Sequence, residues 1–166
     1  LQNSNIVFDT YVTFYQWTLS KDETINGDIL INLGNIDLNG YSLTVKGNLD
    51  LLGSGQLNLN NGKLSVEGNL KQHSGTMHLN GGTLNIGGTY SLDNGDKRCD
   101  AELIMDNDKD LLNIDGDLNV NTYDSYSVRL SKGTVTLKGN FTQSINKGSG
   151  FTGYSYNFCC EGSNKF

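Results

Sequence analysis

The sequence predicts an all-β fold in which a single chain winds into a parallel β-helix, a solenoid of short stacked strands. A glycine-centred motif recurs about once every 20 residues, apolar and polar residues alternate around it, and glycine and asparagine are abundant. The chain has 166 residues, with 21 Gly, 22 Asn and no Pro. Gly and Asn tolerate the positive φ angles of sharp turns, so this composition predicts many tight corners between short strands.

The recurring motif has the form apolar-x-Gly-x-apolar. An apolar residue stands two positions before five of the six copies, which gives the alternation of a strand. The spacings between the central glycines are 20, 21, 20, 28 and 23 residues, for Gly27, Gly47, Gly68, Gly88, Gly116 and Gly139. We therefore predict about six coils of 20–28 residues. A unit of this size favours the larger right-handed coil over the triangular form that is built on strict hexapeptides.

A second pattern, apolar-x-apolar followed by Asn or Gly, lies between the copies of the motif, so each unit holds at least two short strands. One unit cannot stand alone. Burial of its five or so inward side chains stabilises it by ~1.5–3 kcal/mol each, less than the ~1–2 kcal/mol that ordering each of about 20 residues requires. Successive units must therefore stack, and the predicted interior column consists of Leu43, Leu64, Leu84, Leu112 and Val135.

Asparagine recurs at one corner of the predicted coil, at Asn39, Asn60 and Asn80. Asn suits a left-handed backbone, and stacked amides can hydrogen-bond from one coil to the next. We interpret these three residues as a structural ladder rather than a binding site.

The repeat also predicts the domain organisation. Residues 24–142 form the coils, residues 1–23 an N-terminal cap region with strand character, and residues 143–166 a C-terminal coil or cap. Aromatic residues are frequent in the first segment, which suits a cover over the open edge of a solenoid. The alternation of residues 154–158 resembles another strand, so we expect the array to continue in a longer protein with neighbouring domains.

The period is broken between Gly88 and Gly116, where about eight extra residues predict a loop insertion near 93–110. Extra residues in a solenoid form loops at its corners, and binding is most often added there. A second irregular segment, residues 121–127, lengthens the next coil and can lie on the same side. The candidate binding residues in these segments are Asp106, Asp108, Asp110, Tyr123 and Tyr126.

Asp106, Asp108 and Asp110 place carboxylates at alternate positions, as a calcium-binding loop does. However, Leu111 stands where such a loop needs Gly, and Leu112 already belongs to the next strand. A solvated acidic loop fits these residues better, with a weak Ca²⁺ site as the alternative. We expect no other cofactor.

Composition argues against several functional classes. The net charge is −6 with two Arg, so no basic stripe is present for nucleic acid. Membrane insertion is not expected, since no apolar run approaches the roughly 18–20 residues of a spanning helix. Asp28 and Asp117 share a repeat position but lie about 19 Å apart by strand spacing, too far for a catalytic carboxylate pair. We therefore expect no catalytic residues.

The runs Thr24-Ile25-Asn26-Gly27-Asp28, 35–49 and 80–88 resemble repetitive β-helical segments of large, adhesin-like bacterial surface proteins. The resemblance covers residues 24–92 and, more loosely, 112–142. It implies a non-catalytic structural or adhesive module, extracellular or at the bacterial cell surface, with a host or matrix glycan or protein as partner. The alternative is a carbohydrate-active β-helix protein, either a polysaccharide lyase or hydrolase or a glycan binder.

Overall fold

The computed structural model describes residues 6–8, 16–93, 101–122 and 128–145, and all regular secondary structure in these ranges is β-strand. The strands contain three to five residues each, as the closely spaced turn residues predict. They are β1 (Ile6–Phe8), β2 (Gln16–Thr18), β3 (Glu23–Ile25), β4 (Ile29–Ile31), β5 (Asn35–Asp37), β6 (Ser42–Val45), β7 (Leu49–Leu51), β8 (Gln56–Asn58), β9 (Lys63–Val66), β10 (Leu70–Gln72), β11 (Thr76–His78), β12 (Thr83–Ile86), β13 (Tyr90–Asp93), β14 (Glu102–Met105), β15 (Leu111–Ile114), β16 (Leu118–Thr122), β17 (Val128–Leu130), β18 (Thr134–Leu137) and β19 (Phe141–Ile145).

The strands form three parallel sheets, and each coil contributes one strand to each sheet. Every third strand from β1 belongs to sheet A, every third from β2 to sheet B, and every third from β3 to sheet C. Neighbours within a sheet are thus strands of successive coils, and they pair in parallel. The stack makes about five turns. This confirms the predicted parallel β-solenoid, whereas its handedness stays a prediction.

Equivalent aliphatic residues of successive coils lie over one another inside the solenoid. Sheet C pairs Leu43 with Leu64, Leu64 with Leu84, Leu84 with Leu112, and Leu112 with Val135. The four leucines are fully buried, and Val135, in the last described coil, is partly buried against the same core. The predicted interior column is confirmed, and each buried leucine stabilises the stack by about 1.5–3 kcal/mol.

The repeated glycine motif straddles a corner instead of lying within one strand. In one copy, Val66 ends β9 and Leu70 begins β10, and Gly68 lies between them where the chain passes from sheet C to sheet A. A Cβ atom on Gly68 would lie 2.7 Å from the carbonyl oxygen of Gly47, and one on Gly88 would lie 2.8 Å from that of Gly68. Close approach of successive backbones therefore requires glycine at this corner.

Strands in register also occur on both sides of the predicted coil region. β1 pairs with β4 and β2 pairs with β5, so residues 6–8 and 16–18 extend sheets A and B. At the other end β19 pairs with β16 and runs to Ile145. Residues 1–5, 9–15 and 146–166 lie outside the described residues, and the predictions of a cap or a further coil for them stay predictions.

Candidate functional site

The extra residues of the broken period are divided between two corners. Between sheets A and B, the register of β13 with β10 and of β14 with β11 leaves nine residues, 93–101, where the preceding coil has three, 73–75. Between sheets B and C, five residues, 106–110, replace the three residues 80–82. Six of the eight extra residues thus belong to the A–B corner and two to the B–C corner.

The following coil is lengthened at the A–B corner again. Residues 123–127 join β16 of sheet A to β17 of sheet B, one coil after residues 94–101 join β13 to β14. The two lengthened connections therefore join the same pair of sheets, at the same corner of successive coils. Residues 94–100 and 123–127 of these connections, with the candidate residues Tyr123 and Tyr126, lie outside the described residues.

The candidate residue Asp110 is fully buried at the B–C corner. Its Oδ1 atom accepts a hydrogen bond from the backbone N–H of Gly81 at 2.5 Å, and its Oδ2 atom accepts one from the backbone N–H of Asn107 at 3.0 Å. The first bond links this corner to the preceding coil, and the second closes the turn 107–110. Two charge-assisted hydrogen bonds thus compensate for burial of the carboxylate. They indicate that Asp110 stabilises the B–C corner.

The other two aspartates of the corner face different partners. Asp106 lies 3.0 Å from the Nε2 atom of His78 on the preceding coil, and Asp108 lies 3.6 Å from the Nζ atom of Lys132 on the following coil. The side chain of Asp108 is 83% exposed. Among the described residues, no group of three or more His, Cys, Asp or Glu side chains is close enough to hold a metal ion. The structure therefore brings the three aspartates to one corner without directing their carboxylates to a common point.

The three asparagines of the predicted ladder all have positive φ, with values of 49° for Asn39, 46° for Asn60 and 43° for Asn80. The Nδ2 group of Asn80 donates to the Oδ1 atom of Asn60 at 2.8 Å. The Nδ2 group of Asn60 donates at 2.8 Å to the Oδ1 atom of Asp37 instead of to Asn39, whose own amide donates to the carbonyl oxygen of Leu19. At this corner, between sheets B and C, the side chains thus connect successive coils through amide, carboxylate and backbone carbonyl acceptors.

A second ladder, which the sequence reasoning missed, lies at the C–A corner. The Oδ1 atoms of Asp28, Asn48 and Asn69 each accept the backbone N–H of the residue one coil further on, at 2.6–2.8 Å. Asp117 accepts the backbone N–H of Asn140 in the same way. The recurrence of Asn or Asp directly after the motif glycine was the signal available in the sequence. Asp28 and Asp117, considered above as a carboxylate pair, belong to this ladder.

Sequence reasoning also missed a polar pair in the interior. Gln72 and Tyr90 are both fully buried, and the hydroxyl group of Tyr90 donates to the Oε1 atom of Gln72 at 2.6 Å. The Nε2 group of Gln72 donates to the carbonyl oxygens of Gly75 and Glu102, each at 3.0 Å. Alignment of the repeats would have revealed Gln72, since it replaces an aliphatic residue in an inward-facing column.

On the outer surface, ion pairs connect successive coils. Lys46 pairs with Glu67 and Lys138 with Asp115, in a column that directly follows the strands of sheet C at the C–A corner. Arg129 pairs with Glu102 on sheet B at 2.7 Å. Together with the two ladders, these pairs engage polar side chains of the described surface in contacts between coils. This arrangement reinforces the stack.

No helix in the described ranges has the length and hydropathy of a membrane span. Comparison of the chain with known proteins gives no match among family models, curated proteins or solved structures.

Proposed function

We propose that this chain is a non-catalytic β-solenoid module of a bacterial secreted or cell-surface protein, which acts as a rigid spacer and presents its lengthened A–B connections to an extracellular partner. The observation that carries this proposal is the division of the molecule into two parts. Polar side chains on the described faces bond from coil to coil, whereas the lengthening of the chain is concentrated at one corner of two consecutive coils.

Rigidity follows from the way the coils are joined. Each coil hydrogen-bonds to its neighbours along three sheets, and side-chain ladders reinforce two of the three corners. Six stacked strands at about 4.8 Å spacing give a rod of about 24 Å between the first and last strand of sheet C. A rod that is bonded along its whole length keeps its two ends at a fixed separation, which is the property of a spacer.

Presentation follows from the position of the lengthened connections. They begin at the ends of β13 and β16 and return to β14 and β17, strands that are paired in register on both sides of the corner. Loops that carry binding residues are commonly supported by a rigid scaffold of this kind. The partner that we propose, a host or matrix glycan or protein, rests on the resemblance to surface proteins, and the proposal includes no cofactor.

The test is a binding array of glycans and matrix proteins, probed with the intact chain and with a matched variant. In the variant, the three-residue sequence of the preceding coil, His73-Ser74-Gly75, replaces both residues 93–101 and residues 121–126, which restores the regular corner in both coils. We expect the intact chain to bind a discrete set of ligands and the variant to lose them, with its circular-dichroism spectrum of β-structure unchanged.

Two results would overturn the proposal. Release of oligosaccharides from any polysaccharide incubated with the chain would favour the carbohydrate-active alternative. Equal binding by the intact chain and the shortened variant would show that the lengthened connections are not what the module presents.

A further inference from the structure

We infer that Gln72 and Tyr90 form an interior clamp that positions the two ends of the lengthened connection 93–101. The inference rests on the proposed function, because it assigns a purpose to holding this connection in place. Its physical basis is separate, however, and lies in described and fully buried side chains.

The clamp joins the strand that enters the connection to the strand that leaves it. Tyr90 begins β13, which leads into the connection, and its hydroxyl group donates to Oε1 of Gln72 at 2.6 Å. Glu102 begins β14, where the chain returns, and its carbonyl oxygen accepts from Nε2 of Gln72 at 3.0 Å. The same Nε2 group also donates to the carbonyl oxygen of Gly75, in the short A–B connection of the preceding coil. One side chain therefore bonds to both sides of the insertion and to the regular corner beside it.

A polar residue is not needed at this position for packing alone. In the register of sheet A, Gln72 lies between Leu51 and Leu92, both fully buried. Leucine would fill the same column, and a buried amide is unfavourable unless its hydrogen bonds are made. Here both Nε2 hydrogens are donated and Oε1 accepts, so the network is satisfied. A satisfied buried network fixes one geometry where an aliphatic side chain permits several.

The clamp lies at the corner where the chain is least restrained by its connection. A nine-residue connection restrains the return of the chain less than a three-residue corner does, because closure entropy grows with loop length. The backbone N–H of Glu102 donates to the carbonyl oxygen of Gly75 at 2.8 Å, and this bond starts the pairing of β14 with the preceding coil. The Nε2 group of Gln72 donates to the carbonyl oxygens of both Gly75 and Glu102, and so fixes the point where the chain returns to sheet B.

The test compares the wild type with a Q72L/Y90F double variant, in which both polar groups are replaced together by residues of similar shape. The measurement is amide hydrogen exchange at Glu102, with Gln56 as internal control. The backbone N–H of Gln56 donates to the carbonyl oxygen of Gly34 at 2.8 Å, the equivalent bond in an earlier coil at a corner of regular length. We expect exchange at Glu102 to be about ten-fold faster in the double variant, with Gln56 unchanged and the thermal midpoint within a few degrees of wild type.

Two results contradict the clamp: unchanged exchange at Glu102, and equal acceleration at Glu102 and Gln56, which would indicate a general loss of stability. A single Y90F variant keeps the inference testable if the double variant does not fold, because it removes one hydroxyl group and leaves both Gln72 bonds to the backbone. The clamp then predicts a smaller acceleration, still confined to Glu102.

Failure of the clamp and failure of the proposed function give different results. Faster exchange at Glu102 in a chain that binds nothing on the array would support the clamp and overturn the proposed function. Unchanged exchange would overturn the clamp whether or not a ligand is found. Faster exchange together with weaker binding by the double variant would support both.

Discussion

The regular coils, residues 24–92, and the lengthened coils, residues 93–145, keep the same strand register although the chain length between equivalent residues differs. Leu64 pairs with Leu84 after 20 residues, and Leu84 pairs with Leu112 after 28. The corners absorb the difference, and the three sheets continue without a shift. This comparison shows that interior columns set the register, because a shift by one residue would turn every apolar side chain of a strand to the outside.

The two regions differ in how completely the columns are buried. Leu49, Leu70 and Tyr90 in sheet A are fully buried, whereas Phe141, which continues their column in the last described coil, is 40% exposed. Inner coils have a described neighbour on both sides, and β19 pairs with β16 alone among the described strands. In a solenoid, a coil is stabilised chiefly by its nearest neighbours, so its contribution depends on its place in the stack.

The largest expected effect tests this difference within one column. Leu64→Ala removes a fully buried side chain between two coils and should lower the free energy of unfolding by about 3–4 kcal/mol. Val135→Ala, in the same column at the last described coil, removes a smaller and partly buried side chain and should lower it by about 1 kcal/mol. Urea unfolding followed by circular dichroism measures both values. Equal losses would mean that the last described coil is as well packed as the inner ones.

A somewhat smaller effect is expected at the C–A corner. Gly68→Ala brings a methyl group against the backbone of Gly47, which cannot move without disturbing the pairing of two coils, so we expect a loss of about 2–3 kcal/mol in the same assay.

Gly40→Asn is the matched control for the glycine column. Gly40 has a φ of +82° and no atom within 4 Å of a built Cβ, and Asn61, with a φ of 62°, occupies the equivalent position of the next coil. This substitution should change the free energy of unfolding by less than about 0.5 kcal/mol. A large loss at Gly40, or none at Gly68, would show that conformation rather than close approach selects glycine at these corners.

The columns and the turn positions could be predicted from the sequence because they depend on alternation and on residues repeated at a fixed spacing. The roles of individual polar residues could not. Asp106, Asp108 and Asp110 look equivalent by spacing, yet only Asp110 is fully buried, since the backbone N–H of Gly81 meets it from the preceding coil. Such a contact depends on how a lengthened corner lies over a shorter one, which no local pattern contains.

The difference among the aspartates gives the third prediction. Asp110→Ala leaves the backbone N–H groups of Gly81 and Asn107 without their acceptor and should lower the free energy of unfolding by about 1–3 kcal/mol. Asp108→Ala removes a mostly exposed carboxylate and should change it by less than about 0.5 kcal/mol.

Calcium provides a second measurement on the same pair of variants. With a corner held by hydrogen bonds, the thermal midpoint of the wild type should be the same in millimolar Ca²⁺ and in EDTA. A rise with Ca²⁺ that is lost in both Asp108→Ala and Asp110→Ala would instead establish a calcium site at this corner.

The smallest expected effect concerns ion pairs at the C–A corner, in the column that directly follows the strands of sheet C, one in each region. Lys46 and Glu67 connect two regular coils and are about half exposed, and Lys138 and Asp115 connect two lengthened coils at 2.7 Å and are more than half exposed. Exposed pairs of this kind contribute about 0.2–1 kcal/mol, and added salt screens them. Double-mutant cycles should therefore give coupling energies below about 1 kcal/mol for both pairs, falling toward zero in about 1 M salt.

Since both pairs occupy the same column, similar couplings would show that the surface is as regular in the lengthened coils as in the regular ones. A coupling confined to residues 24–92 would contradict this and show that lengthening the A–B and B–C corners also loosens the C–A corner.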